Sequence, residues 1–140
     1  DDDAFVRRPL EFILREEGYD PAIARDGDEC LARVAEHPPA LIFLDVMMPG
    51  RDGFEVCRTL KDDPATAGIP VVLLSGTFEP FEESAAVESG ADAHLKKPFD
   101  SQELIVRVNN MIEKRRRRVS SRVSSVLRLE NNSLICAGCP

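Results

Sequence analysis

The chain has 140 residues, 43% of them apolar, enough for one domain with its own core and a tail. No apolar run is long enough to span a membrane as a helix, no signal-peptide pattern opens the chain, and four scattered cysteines do not make a disulfide scaffold, so a soluble cytoplasmic protein is expected. The net charge of −7 is uneven: residues 111–140 carry +5 and the first 110 carry −12, which argues against a nucleic-acid-binding body.

Helix and strand signals alternate along the chain. "AFVRRPLEFILREEG" reads as a helix with Phe5, Leu10, Ile13 and Leu14 on one side and Gly18 as its stop. Pro9 interrupts it; a proline in a helix interior costs about 3 kcal/mol, so a kink is expected. Asp20–Arg25 is a short strand. "DGDECLARVAEH" is a helix with Cys30, Leu31 and Val34 inward, ended by "HPP", and "ALIFLD" is the next strand. "GFEVCRTLKDD" is a helix whose apolar set is Phe54, Val56, Cys57 and Leu60; Cys30 and Cys57 are expected as reduced core thiols. "IPVVLLSG" is a strand, "PFEESAAVESG" a short acidic helix, and "DAHLKKP" a strand stopped by Pro98. "DSQELIVRVNNMIEKRRRR" is a long helix, with Asp100 as N-cap, Glu103 completing a capping box, and arginines at the negative end of the dipole.

Alternation at this spacing implies parallel strands joined by right-handed crossovers, an α/β doubly wound sheet with helices on both faces. Ligands of such sheets sit outside the C-terminal ends of the strands. Asp45 ends "LIFLD", Ser75 ends "VVLLS", Lys97 ends "HLKK", and Asp1 and Asp2 precede the first helix. Three carboxylates, a hydroxyl and an ammonium group thus converge on one rim. Two carboxylates about 5 Å apart repel by roughly 3 kcal/mol at an effective dielectric of about 20. A hard divalent cation relieves that, and oxygen ligands with open positions suit magnesium. A cation, a lysine and a hydroxyl around one exposed carboxylate suit phosphoryl transfer, with Asp45 attacking in line to form an acyl phosphate.

The segments "DDDAFVRR", "LIFLDVMMPGRDG", "VVLLSG" and "GADAHLKKPFDSQEL", in this order, resemble the receiver domain of two-component response regulators over residues 1–118. The resemblance implies a flavodoxin-like strand order 2-1-3-4-5. It implies Asp45 as phospho-acceptor, Asp2 as a direct magnesium ligand, Asp1 as a ligand through water, and the Met47 backbone carbonyl as a further ligand. It implies Ser75 as the switch hydroxyl and Lys97 as the contact to the phosphoryl group. The implied donor is a phosphohistidine on a histidine kinase or phosphotransfer protein. His94 stands where the family commonly carries an aromatic switch residue; an imidazole there is smaller and ionisable. The face formed by the fourth helix, the last strand and the last helix, with Glu82, Glu83, His94 and Arg107, is the expected partner or homodimer surface. Met47 and Thr77 flank the site in place of residues that orient attacking water, so slow loss of the phosphoryl group is expected. The rival readings are a silent receiver-like binding module and an aspartyl-nucleophile phosphohydrolase. Against the second, such enzymes usually need an aspartate two residues after the nucleophile, where Met47 stands.

The family carries an apolar strand directly before its acidic pair, whereas this chain opens on "DDDAFVRR". The absent strand belongs between Asp20–Arg25 and Ala40–Asp45. Either the natural protein extends upstream, or a tail segment, "SVLRLE" or "SLICAG", fills the slot. An amino terminus at Asp1 would also place a positive charge beside the metal site and weaken magnesium binding and phosphoryl uptake. Residues 119–140 read as a linker or tail, as the start of an output domain through which alone DNA would be bound, or as non-native sequence. "VLRLENNSLICAG" is compatible with a hairpin at Asn131-Asn132, and Cys136 and Cys139 have the spacing of half a zinc site without a second pair.

Overall fold

Apolar runs of four or five residues, each bounded by turn formers, become strands, and the 3.6-periodic segments between them become helices. In the computed structural model the residues described are 10–48, 50–76, 83–96, 100–120 and 132–138. Residues 10–16 are helical (α1). Then follow β1 (Asp20–Ala24), α2 (Gly27–Glu36), β2 (Leu41–Asp45), α3 (Gly53–Asp62), β3 (Val71–Ser75), α4 (Glu83–Ser89), β4 (Ala93–Lys96), α5 (Ser101–Ser120) and β5 (Ser133–Ala137). Aspartates start three helices. Asp26 accepts the Glu29 N–H (2.9 Å), Asp52 the Glu55 N–H (2.8 Å) and Asp100 the Gln102 N–H (2.8 Å), each satisfying a donor the helix itself leaves unpaired. The expected kink at Pro9 lies outside the described residues.

The five strands are all parallel, in the order β1-β5-β2-β3-β4. Every residue of β2 and β3 is buried, as the unbroken runs "LIFLD" and "VVLLS" require of strands covered on both faces. On one face, Ile42, Leu44, Val71 and Leu73 pack with Cys30 and Val34 of α2 and Val56, Cys57 and Leu60 of α3. On the other, Leu41, Phe43, Val72 and Leu74 pack with Leu10 and Leu14 of α1 and Leu104, Val108 and Ile112 of α5. Cys30 and Cys57 are core thiols as expected, both free.

The slot between β1 and β2 is filled by β5. β5 pairs with β1 from Asp20↔Ser133 to Ala24↔Ala137, and with β2 from Leu41↔Leu134 to Leu44↔Ala137. Residues 133–137, read from the sequence as linker or tail, are therefore an inner strand of the sheet. Both of their ladders are parallel, so they form no hairpin with a described segment. Leu134 and Cys136 join the α1–α5 core, while Ile135 and Ala137 join the α2–α3 core. Cys136, 1% exposed, is a core side chain rather than half of an open zinc pair. The physical reason is the demand of two adjacent strands for hydrogen-bond partners: a short apolar run with small residues at its end satisfies both ladders and both cores at once.

At the opposite end of the sheet from Asp45, Lys61 ties three elements together. Its Nζ donates to the Ala67 carbonyl (3.0 Å), the Ile69 carbonyl (2.8 Å) and Asp92 Oδ2 (2.8 Å). Asp92 Oδ2 also accepts the Val71 N–H (2.8 Å). Asp92→Ala leaves a largely buried ammonium and a strand N–H short of a partner, and is expected to destabilise by about 1–3 kcal/mol. Urea unfolding measures this, and a midpoint equal to that of the wild type contradicts it.

Candidate functional site

The site grows from the end of β2. Its last residue, Asp45, is 7% exposed, and its Oδ1 accepts the Met47 N–H (2.9 Å), so the chain turns around the carboxylate. The Val46 N–H donates to the Leu74 carbonyl (2.8 Å), and the Gly53 N–H donates to the Val46 carbonyl (3.1 Å). These bonds tie the turn to β3 and to the start of α3. Gly53 is required there, because a Cβ would stand 2.5 Å from the Asp45 carbonyl oxygen. Met47 is 65% exposed beside the carboxylate, whereas Met48 is buried.

Asp45 pairs in register with Leu74, so Ser75 lies one residue further along the same rim. Ser75 is fully buried, and its Oγ has no hydrogen-bond partner among the described residues. A buried hydroxyl left unpaired costs about 1–3 kcal/mol. Such a group at the rim, beside a carboxylate on the neighbouring strand, suits an acceptor that arrives with a ligand. Ser75 pairs with Lys96, which is exposed, and Lys97 is the next residue in the chain.

Of the residues singled out from the sequence, Asp45, Ser75 and Met47 therefore stand together at the C-terminal ends of β2 and β3. Asp1, Asp2, Lys97, Thr77 and Glu82 lie outside the described residues. His94 is on β4, opposite Leu73, with an exposed side chain; its carbonyl accepts from Arg107 Nη1 (3.4 Å), and Arg107 also pairs with Glu103 (3.7 Å). Among the described residues, no group of three or more His, Cys, Asp or Glu side chains is placed to hold a metal. Burial pushes the Cys30 thiol up to about 12 and also raises that of Cys57, which keeps both protonated and unreactive.

Sequence reasoning missed one neighbour of the carboxylate. Gly138, just beyond β5, is buried with φ +81°, and its N–H donates to the Ala24 carbonyl (3.0 Å). A Cβ built on it would lie 2.8 Å from Asp45 Cβ and 2.6 Å from Met48 Cγ. The small pair Ala137-Gly138 closing an apolar run was the signal available.

The response regulator receiver domain pattern matches residues 1–109. Over 108 residues the chain is 42% identical to the DNA-binding response regulator MtrA of Mycolicibacterium paratuberculosis, a match covering 77% of this chain and 47% of that protein. Over 104 residues it is 47% identical to the response regulator PleD of Caulobacter vibrioides, covering 74% of this chain and 23% of that protein. The chain thus spans half or less of the length of these relatives. Among solved structures, a putative response regulator from Chloroflexus aurantiacus superposes with a TM-score of 0.73 at 35% identity, covering 81% of this chain and 93% of that one. The signal receiver domain of a histidine kinase from Syntrophus aciditrophicus does so with 0.72 at 33%, covering 84% and 86%. The parallel sheet with helices on both faces, the buried aspartate at the end of a central strand and these relatives agree: the chain belongs to the response regulator receiver domain family.

Proposed function

We propose that this chain is a phosphorylation-operated signalling switch in which Asp45 takes a phosphoryl group from a phosphohistidine on a partner histidine kinase or phosphotransfer protein. The observation that carries this reading is the juxtaposition of a buried carboxylate at the end of β2 with a buried hydroxyl at the end of β3 that has no partner among the described residues. An Asp45 oxygen attacks phosphorus in line, the P–N bond breaks, and the imidazole leaves with the bond's electrons and takes up a proton. The product is an acyl phosphate on Asp45. Ser75 Oγ donates to a phosphoryl oxygen and so gains a partner that it lacks among the described residues. Lys97 is the residue that would supply positive charge to the phosphoryl group. Moving Ser75 toward the phosphoryl group changes the packing behind it, and His94, on β4 opposite Leu73, responds.

Asp45, the Met47 backbone carbonyl, Asp2 and, through water, Asp1 would hold magnesium, being oxygen donors only, and the Met47 backbone is tied to Asp45 through its N–H. When bound, the cation offsets negative charge on the phosphoryl oxygens. The switch acts in the cytoplasm and is not itself a turnover enzyme. Its output runs through the face of α4, β4 and α5, which binds a partner or a second copy. DNA is contacted only through an output domain of a longer protein, in keeping with the similarity to the DNA-binding response regulator MtrA.

Incubating the full chain with acetyl phosphate and magnesium, followed by intact mass, tests the reading. Gain of one phosphoryl group that needs magnesium is expected. No gain at any magnesium concentration would point to a silent binding module, and steady release of phenol from an aryl phosphate would point to a phosphohydrolase.

Two further outcomes follow. Ser75→Ala is expected to leave stability unchanged or raised by up to about 1 kcal/mol, because a buried hydroxyl with no partner among the described residues is replaced by a methyl group. It should also slow phosphoryl uptake by about 10-fold to 100-fold, since a donor to the developing charge is lost. A variant both less stable and equally fast contradicts the assignment. Met47 and Thr77 hold attacking water poorly, so the phosphorylated protein should keep its phosphoryl group for minutes or longer at neutral pH. A half-life of seconds by intact mass overturns that expectation.

A further inference from the structure

We infer that Gly138, carried to the rim by β5, is a positioning residue for Asp45, so that phosphoryl uptake depends on the C-terminal strand being seated in the sheet. This rests on the phospho-acceptor reading above and goes beyond it, because it makes the far end of the chain part of the site. The register Leu44↔Ala137 brings the next pair, Asp45 and Gly138, abreast. β3 flanks Asp45 on one side and Gly138 closes the other. Gly138 is itself anchored to β1 through its N–H bond to the Ala24 carbonyl (3.0 Å). A Cβ at position 138 would stand 2.8 Å from Asp45 Cβ, 2.6 Å from Met48 Cγ and 3.0 Å from Met48 Sδ. Carbon atoms do not tolerate such approaches, so backbone and Asp45 side chain are packed as closely as a glycine allows. The φ of +81° adds a second reason for glycine there.

In-line attack tolerates little misplacement, and an error of about 1 Å in a reacting group can cost about 100-fold. With β5 seated, the Met47 N–H fixes the Asp45 carboxylate and Gly138 fixes its Cβ. A side chain at position 138 pushes on that second restraint and so shifts the attacking carboxylate.

The test compares Gly138→Ala with Leu134→Ala in the full chain. Leu134 is fully buried at the other end of β5, facing the α1–α5 core, so its truncation weakens the seat without touching Asp45. Rates of uptake from acetyl phosphate with magnesium are read by intact mass, alongside urea unfolding, under conditions where each variant is folded. Gly138→Ala is expected to lower the maximal rate by about 10-fold to 100-fold with little change in the acetyl phosphate concentration giving half that rate. Leu134→Ala, although less stable, should stay within about twofold of the wild type once folded, because additivity holds for sites that share no contact. Gly138→Asn, which tolerates positive φ but keeps a Cβ, should be slow like the alanine variant. If Gly138→Ala does not fold, Gly138→Ala with Met48→Ala relieves the contacts to Met48, keeps the one to Asp45, and should show the same slowing. A folded Gly138 variant as fast as the wild type, or no slower than Leu134→Ala, overturns the inference while leaving the acceptor reading intact. A wild-type chain that takes up no phosphoryl group overturns both.

Discussion

Asp45→Asn is expected to abolish phosphoryl uptake while leaving the fold in place. The amide is nearly the same size as the carboxylate, and its oxygen can still accept the Met47 N–H that holds the turn. The close packing of Gly138 and Gly53 on this residue involves its Cβ and its backbone, which the substitution does not alter. Stability should therefore change by no more than about 1 kcal/mol. The amide group is not a nucleophile toward phosphorus, and burial raises the thiols of Cys30 and Cys57, which keeps these two core side chains protonated. Intact mass after acetyl phosphate and magnesium reads the first expectation and urea unfolding the second. Uptake at the wild-type rate by a folded Asp45→Asn variant would move the chemistry elsewhere.

The largest stability effect is expected in β5. Ile135 is 3% exposed, lies in the α2–α3 core, and has strands on both sides. Ile135→Asp would bury a carboxylate with no partner, at a cost of several kcal/mol, against a total stability that for domains of this size is about 5–15 kcal/mol. The chain should lose its cooperative urea transition and much of its circular dichroism. The control, Ile135→Val, removes one methylene and should cost about 0.5–1.5 kcal/mol. If Ile135→Asp unfolds at the wild-type midpoint, β5 does not occupy the slot in solution.

Much of this fold was legible because its signals are local. Each strand run ends within two residues of where the sequence places it, since "LIFLD" and "VVLLS" are too short for helices and are bounded by turn formers. The helix starts were equally plain, because Asp26 and Asp100 are capping residues just ahead of periodic segments. The site was legible for a related reason: in a parallel sheet, the polar residue ending each strand falls on one rim, which makes Asp45 and Ser75 neighbours without any knowledge of side-chain geometry.

What could not be settled from the sequence is non-local. "SLICA" could be named as a candidate for the open slot, but so could "SVLRLE", and nothing in five residues encodes whether their partners run parallel or antiparallel. That choice is made by the pairing of β5 with both β1 and β2, some 90 residues or more away in the chain. Gly138 escaped for the same reason, because its role is defined by a contact across the sheet. Lys61 reads as an ordinary residue near a helix end, and only the meeting of α3, β3 and β4 gives it three acceptors.

The most direct test of the central claim is chemical mapping of the phosphoryl group. The wild-type chain, loaded with acetyl phosphate and magnesium, is reduced with borohydride, which converts an aspartyl phosphate to homoserine, and its peptides are sequenced by mass spectrometry. Homoserine at position 45, absent from unloaded protein and lost when magnesium is chelated, is the predicted result. Homoserine at another aspartate, or none in protein whose intact mass shows phosphoryl gain, would contradict the assignment of Asp45 as the acceptor.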